Sequence, residues 1–197
     1  MATTRNRNHP IKGSRITVEP IRELADIKRI KRLLSPRNRL LFIIGINSGL
    51  RAGDLLRLTV ANVRSLAVGD VLYVRESKTG KQNMLVINDE IRSAVKAYMR
   101  VYKPEDSSFL FVSQKGENQP LKSVNRLIKG WCRAIKLEGN FGAHTLRKTW
   151  GYVQRVHFKT PVEIITKRYL HSSTGTTMKY LGIQEKEVHA TLMNNIG

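Results

Sequence analysis

The 197-residue sequence predicts a mostly α domain carrying one small antiparallel β-hairpin, an α+β arrangement. Three observations carry this reading. Most segments repeat apolar residues three and four apart, and only VLYVRE (71–76) and NMLVIN (83–88) read as strands. A Thr79-Gly80 turn lies between those two and would join them as a hairpin.

The elements follow in chain order. Residues 1–18 are basic, polar and without hydrophobic period, so they read as a flexible arm, and residues 19–197 as the folded domain. Asp26 caps a first helix, with Ile27, Ile30, Leu33 and Leu34 on one face and Lys28, Arg29, Lys31 and Arg32 on the other. Residues 38–48 read as a buried helix ended by Gly49, and a short helix follows at 52–57. After the hairpin, Asp89 caps a helix that spaces Ile91, Val95, Tyr98, Met99 and Tyr102 along an apolar face. A loop rich in Pro, Ser and Gly surrounds FLFV (109–112). From Leu121 to Lys136, one face holds Leu121, Val124, Leu127, Ile128, Trp131 and Ile135, and the other holds Lys122, Arg126, Lys129, Arg133 and Lys136. Further helices are expected at 145–157, 161–169 and 175–192.

Charge identifies the class of partner. Lys and Arg number 35 against 15 Asp and Glu, a formal charge of +20. A polyanion is the natural counterpart of such an excess, and nucleic acid comes first, ahead of a merely basic enzyme or a ribosome-associated protein. The stripe of Lys122, Arg126, Lys129 and Arg133 could be only a solvated face. Its single sign costs self-repulsion without a partner, which favours DNA contact. The lone Cys132 cannot form an internal disulfide, and its neighbours Ile128 and Trp131 indicate a buried thiol. The longest apolar run, Leu40 to Gly45, falls well short of the roughly 20 residues of a membrane span. The N-terminus has no apolar stretch of the secretory kind, so a soluble cytoplasmic protein away from membranes is expected, nucleoid-associated in a prokaryotic or phage setting.

Four segments carry chemistry: GLRAGDLLRL (49–58), ESKTGK (76–81), HTLRKTWGY (144–152) and LHSSTGTTMKYLGI (170–183). Each alone is weak, since an Arg after Gly-Leu or a Lys in a turn is ordinarily a solvated cation. Together, in this order and spacing, they resemble the catalytic domain of the tyrosine recombinase (phage integrase) family from about residue 19 to the C-terminus. The matching positions are Arg51 with Asp54 and Leu55, Lys78 on the hairpin turn, His144 and Arg147 as His-x-x-Arg, and His171 nine positions before Tyr180. The resemblance implies that family's fold and its reaction, cleavage and rejoining of DNA through a 3′-phosphotyrosine.

These residue types suit that reaction. A phosphodiester resists attack because its oxygens are negatively charged. The guanidinium groups of Arg51 and Arg147 can clamp both non-bridging oxygens, and His171 adds a third donor. Tyr180 attacks in line, its hydroxyl having an unperturbed pKa of about 10. His144 is the candidate base, and Lys78 the candidate acid for the leaving 5′-oxygen. The covalent link conserves the bond energy, so no ATP, metal or other cofactor is expected, and no acidic cluster of the two-metal kind is present.

Other candidates read as structural. Tyr98 and Tyr102 belong to an apolar helical face, Tyr73 to a strand, Tyr152 and Tyr169 to helices; His157 and His189 match no motif position, and His9 lies in the arm. Asp54 is expected to orient nearby backbone or Arg51. Two departures stand out. Leu170 occupies a position where the family usually has Gly or Asn, which is expected to shift the approach to His171. Only about 18 residues precede the matching region, where most members carry further DNA-binding domains, so a minimal recombinase or an excised catalytic domain both fit. The partner is double-stranded DNA, with a homotetramer expected on it and a monomer allowed when free; segment 181–197 either folds back in cis or is exchanged between protomers, and exchange is expected on DNA. A type IB topoisomerase and a catalytically idle DNA-binding regulator are the alternative readings.

Overall fold

The computed structural model describes residues 17–113, 118–182 and 192–195. Its elements are α1 (Leu24–Leu33), α2 (Pro36–Ser48), α3 (Ala52–Leu55), β1 (Val71–Arg75), β2 (Gln82–Val86), α4 (Asp89–Tyr102), α5 (Leu121–Ala134), α6 (Ala143–Val156), α7 (Val162–Tyr169) and α8 (Thr174–Leu181). The mostly helical reading with one antiparallel hairpin therefore holds, with Val71 opposite Val86 and Arg75 opposite Gln82.

Helix α2 is apolar on every side, and Leu40 to Ile44 are all buried, as an axial helix requires. Helices α4 and α6 pack against it. The approach of α6 is close enough that a Cβ on Gly45 would lie 2.5 Å from Leu146 Cδ1. The hairpin seats Val74 and Leu85 on this core and turns Tyr73 and Met84 to solvent, the period-two pattern of a half-buried sheet. Behind α6, a small second cluster of Ile165, Tyr169 and Leu181 packs with Trp150 and Tyr180.

Several boundaries differ from expectation. Asp26 lies inside the first turn of α1, paired with Arg29 at 2.9 Å, because Leu24 and Ala25 already start the helix. Helix α2 begins earlier, at Pro36, whose fixed φ suits the first helical position. Asn88, not Asp89, caps α4, its side chain accepting from Ile91 N at 2.9 Å. Tyr102 is 47% exposed at the end of α4, stacked beside the buried Tyr98. Leu121 is also exposed, and Lys136 falls beyond α5. The helix expected to reach residue 192 ends at Leu181, where Gly182 turns left-handed (φ 72°). The arm through residue 16, with His9, and segment 183–191, with His189, lie outside the described residues.

Candidate active site

The two arginines come from different elements. Arg51 precedes α3 just after Gly49, which takes φ 65°. Glycine suits this position twice over, because a Cβ would also fall 2.7 Å from the Trp150 ring. Arg147, 2% exposed, projects from α6. It donates from Nη1 to Gly49 O and from Nη2 to Tyr169 O, both at 2.8 Å, with its guanidinium 4.4 Å from the centroid of the Tyr169 ring. Backbone carbonyls thus fix this guanidinium from behind.

A carboxylate that sequence reasoning did not single out joins the arginines. Glu76, 1% exposed, pairs with Arg51 and lies 3.8 Å from Arg147 Nη1. It also accepts from Thr79 Oγ1 (2.8 Å) and Asn83 Nδ2 (3.0 Å). Burial alone would raise its pKa. The hydrogen bonds from Arg51, Thr79 and Asn83, with the charge of Arg51, outweigh that and hold it below the ordinary carboxylate value. The only visible signal was its place as the one acid in ESKTGK, where a turn carboxylate looks solvent-facing.

Lys78 sits exposed at the tip of the hairpin between Glu76 and Gly80, whose N donates to Glu76 O at 2.9 Å. Its neighbours anchor the turn. Asp54, fully buried, accepts from Ser77 N and Ser77 Oγ at 2.8 Å each. Of the two roles expected for Asp54, it orients backbone; the partner of Arg51 is Glu76. Arg168, also unforeseen, secures the strand behind the turn by donating to Ser48 O, Asn83 Oδ1 and Met84 O. A basic last turn on α7 looked solvated in sequence.

The third group surrounds Tyr180. His171 meets its ring edge-on at 5.4 Å between centroids, and Lys148 Nζ stands 4.9 Å from the same ring. The Tyr180 hydroxyl is buried and has no hydrogen-bond partner among the described residues. Burial raises its pKa, against the charges of Arg147 and Arg51 and a close but poorly aligned approach of the Arg147 guanidinium. His144 lies on the first turn of α6, whose Ala143 N donates to Asn125 Oδ1 of α5 at 2.6 Å. Partial desolvation first, then Arg147, Arg51, Lys78 and Lys148, hold the His144 pKa below its usual value. Desolvation, then the same two arginines, lower that of His171 to about 4, with Glu76 opposing. Both imidazoles are thus shifted toward their neutral forms, and one cationic field acts on Tyr180, His144 and His171.

Leu170 takes φ 55° and ψ 33° in closing α7. This left-handed geometry accounts for the Gly or Asn usual there. The leucine adopts it nonetheless, and His171 stays against Tyr180. Lys122, Arg126, Lys129 and Arg133 are all exposed along α5. They share that helix with Asn125, which ties it to the start of α6. Cys132 is buried, its pKa pushed up to about 12 by burial, and His157 is exposed with Nε2 3.1 Å from Arg22 O. Among the described residues, no group of three His, Cys, Asp or Glu could hold a metal ion, and no helix is long and apolar enough to cross a membrane.

Comparison with known proteins agrees with this geometry. The Phage integrase family model matches residues 14–187. A probable integrase/recombinase of Bacillus subtilis, YoeC, is 36% identical over 181 residues, covering 88% of this chain and 94% of the relative. The tyrosine recombinase XerC of Histophilus somni is 24% identical over 168 residues, covering 79% and 55%. Among solved structures, the XerA recombinase superposes with a TM-score of 0.72 at 18% identity, over 94% of this chain and 68% of that one. A XerH recombinase in a post-cleavage complex with its difH substrate gives 0.72 at 20% identity, over 90% and 52%. The chain thus spans about half the length of XerC and of XerH. At such identities the superpositions establish the fold, and the family match with the YoeC likeness establishes membership. The chain belongs to the phage integrase family of tyrosine recombinases, enzymes that transfer DNA strands.

Proposed function

We propose that this chain cleaves and rejoins double-stranded DNA at specific sites, with Tyr180 as the nucleophile and no metal or ATP. The observation that carries the reading is the Tyr180 hydroxyl, buried beside His171 in the field of Arg147 and Arg51, approached by Arg147 but without a well-aligned hydrogen bond among the described residues. A buried hydroxyl without a well-formed hydrogen bond is unfavourable, so a ligand that completes its bonding accounts for the arrangement.

The scissile phosphate would enter between the guanidinium groups of Arg51 and Arg147, whose N–H donors offset the charge growing on its oxygens. Neutral His144 accepts the phenolic proton as Tyr180 Oη bonds to phosphorus. The bond to the 5′-oxygen breaks, and Lys78 protonates that oxygen. Rejoining reverses the steps with a new 5′-hydroxyl. Exposed Lys122, Arg126, Lys129 and Arg133 would follow the DNA backbone beside the site. Assembly as four protomers on two duplexes, with the C-terminal segment exchanged, belongs to the same proposal, because strand exchange needs cleaved ends held together.

A nicked suicide duplex tests the chemistry. The wild-type chain should yield a covalent protein–DNA adduct in EDTA, and Tyr180→Phe should yield none. An adduct from Tyr180→Phe, or its loss in EDTA, refutes the mechanism. A 5′-thiolate leaving group should rescue Lys78→Ala and not Arg51→Ala. For the α5 stripe, Lys129→Ala should reduce the slope of log affinity against log salt by about 1, and an unchanged slope removes that contact. Relaxation of supercoils without exchange between sites would point instead to topoisomerase activity.

A further inference from the structure

Behind His171, two hydroxyls lie in a row. Its Nδ1 is 3.0 Å from Thr177 Oγ1, which is 2.8 Å from Thr166 Oγ1, which is 2.7 Å from the Val162 carbonyl oxygen. Thr177, at the centre of the row, is fully buried, so water does not take the place of either neighbour on its hydroxyl. Each close contact needs one proton, because two oxygens at such distances with only lone pairs between them repel.

The carbonyl end decides the direction. Val162 O can only accept, so the single Thr166 proton points at it. The Thr166–Thr177 contact must then use the Thr177 proton. Thr177 is left with lone pairs alone to face His171, so the proton between them belongs to Nδ1. A neutral imidazole carries one ring proton, and Nε2 is therefore bare. A bare Nε2 is an acceptor, whereas a phosphate oxygen needs a donor.

We propose that Thr177 and Thr166 are positioning residues that hold His171 in its Nδ1–H tautomer, so that Nε2 acquires its proton only as the phosphate arrives. This rests on the reading of His171 as a phosphate donor. The balance is simple: one proton moves from solvent to Nε2, the imidazolium donates through Nδ1 to Thr177 and through Nε2 to a non-bridging oxygen, and no other bond changes. The groups facing His171 fit a ring that is neutral before substrate and charged after. Arg147 from α6 and Arg51 before α3 oppose a positive ring, Glu76 favours it, and Tyr169 of α7 and Tyr180 of α8 flank it as neutral rings. An incoming phosphate supplies the negative charge that reverses this balance. DNA binding and proton uptake are thereby linked at one side chain.

The test is nitrogen-15 NMR of the histidine rings in the DNA-free full chain at neutral pH, with His171 assigned from His171→Gln. Wild type should show the Nδ1–H pattern. Thr166→Val removes a hydroxyl that does not touch His171, and frees the Thr177 proton to point at Nδ1. The tautomer should then flip to Nε2–H. Thr177→Ser, which keeps the hydroxyl, should retain Nδ1–H. An Nε2–H ring in wild type, or no flip in Thr166→Val, overturns the proposal. Thr177→Val should also give Nε2–H, and it answers the same question if Thr166→Val does not fold.

On suicide DNA, the wild-type cleavage rate should fall about tenfold per pH unit above the DNA-bound pKa of His171, and that limb should be absent in Thr166→Val. A purely structural role would scale the rate equally at every pH. If His171→Gln cleaves as well as wild type while the tautomer still flips, the phosphate reading fails and the relay stands. If His171→Gln loses cleavage and the tautomer does not flip, the reverse holds.

Discussion

The phosphate clamp and the nucleophile are built on very different foundations. Arg51, Arg147 and the lysine turn grow out of the main core, in which α2, α3 and α6 share one continuous set of buried side chains. Arg147 is tied through Gly49 O and Tyr169 O, Arg51 through Glu76, and the lysine turn through Asp54. Tyr180 belongs to the small cluster of Ile165, Tyr169 and Leu181, and its hydroxyl has no hydrogen bond among the described residues. The contrast assigns rigidity to the part that must meet an invariant phosphate, and adjustability to the part that must advance, bond and later withdraw. It also sorts the effects of mutation. Damage to the clamp should unfold the protein, whereas damage around Tyr180 should slow it with less loss of stability.

The largest effect is expected at Glu76. Glu76→Ala leaves Arg51 and Arg147 without their buried counter-charge and the donors of Thr79 and Asn83 without their acceptor. Breaking a buried pair in this way costs about 3–5 kcal/mol, to be read from urea unfolding. A loss below about 1 kcal/mol would mean that the clamp does not depend on its carboxylate. The pH dependence has a definite sign. The folded-state pKa of Glu76 is lowered, so its stabilisation is complete above the pKa of an unfolded glutamate and vanishes as pH falls through the folded value. The stability gap between wild type and Glu76→Gln should therefore close on acidification; a gap that widens contradicts the pairing.

A smaller and more local effect is expected at the junction of the two regions. A Cβ on Gly151 would lie 2.1 Å from the Tyr169 hydroxyl and 2.7 Å from Leu181 Cδ2. That hydroxyl donates to Arg147 O at 2.6 Å, so Tyr169 cannot retreat without releasing the helix that carries the clamp. Overpacking of this kind costs about 1–3 kcal/mol. Because Leu181 directly follows Tyr180, Gly151→Ala should lower the yield of trapped adduct by more than its stability loss explains. Equal losses in both would dissolve the boundary between the two regions.

The two regions were also unequally legible in sequence. Arg51, Lys78, His144, Arg147, His171 and Tyr180 stood out because their chemistry requires fixed residue types in a fixed order, and the structure brings them under one electrostatic field. The helices were legible because apolar spacing reports burial directly, as in α4, whose Ile91, Val95 and Tyr98 are buried. What was hidden depends on tertiary docking. Glu76 and Arg168 look like solvated charges in a turn and in a last helical turn, and only the seating of the hairpin against α2 and α7 buries them. Caps failed for a more local reason. Asn88 and Asp89 are both good cap residues, and which of them takes the extended conformation is settled by where the strand before them ends. Thr177 and Thr166 lie eleven positions apart, on separate helices, and no local pattern connects them.

The smallest effect probes the link between the regions. Leu170 holds φ 55° and ψ 33°, a conformation that costs an L-residue about 1–2 kcal/mol. Asn tolerates this region better, so Leu170→Asn should recover up to about 1 kcal/mol, offset in part by the lost contacts of a half-buried leucine. Relieving strain at this joint should leave the clamp untouched, because Arg147 is held by the Tyr169 carbonyl on the near side of it. Thermal unfolding should rise by a few degrees at most, and DNA affinity should stay as it was. The informative quantity is the cleavage rate. If strain at Leu170 helps press His171 against Tyr180, Leu170→Asn will be more stable and slower. If it cleaves at the wild-type rate, the leucine contributes nothing to His171, and the adjustability of the nucleophile resides within α8 itself.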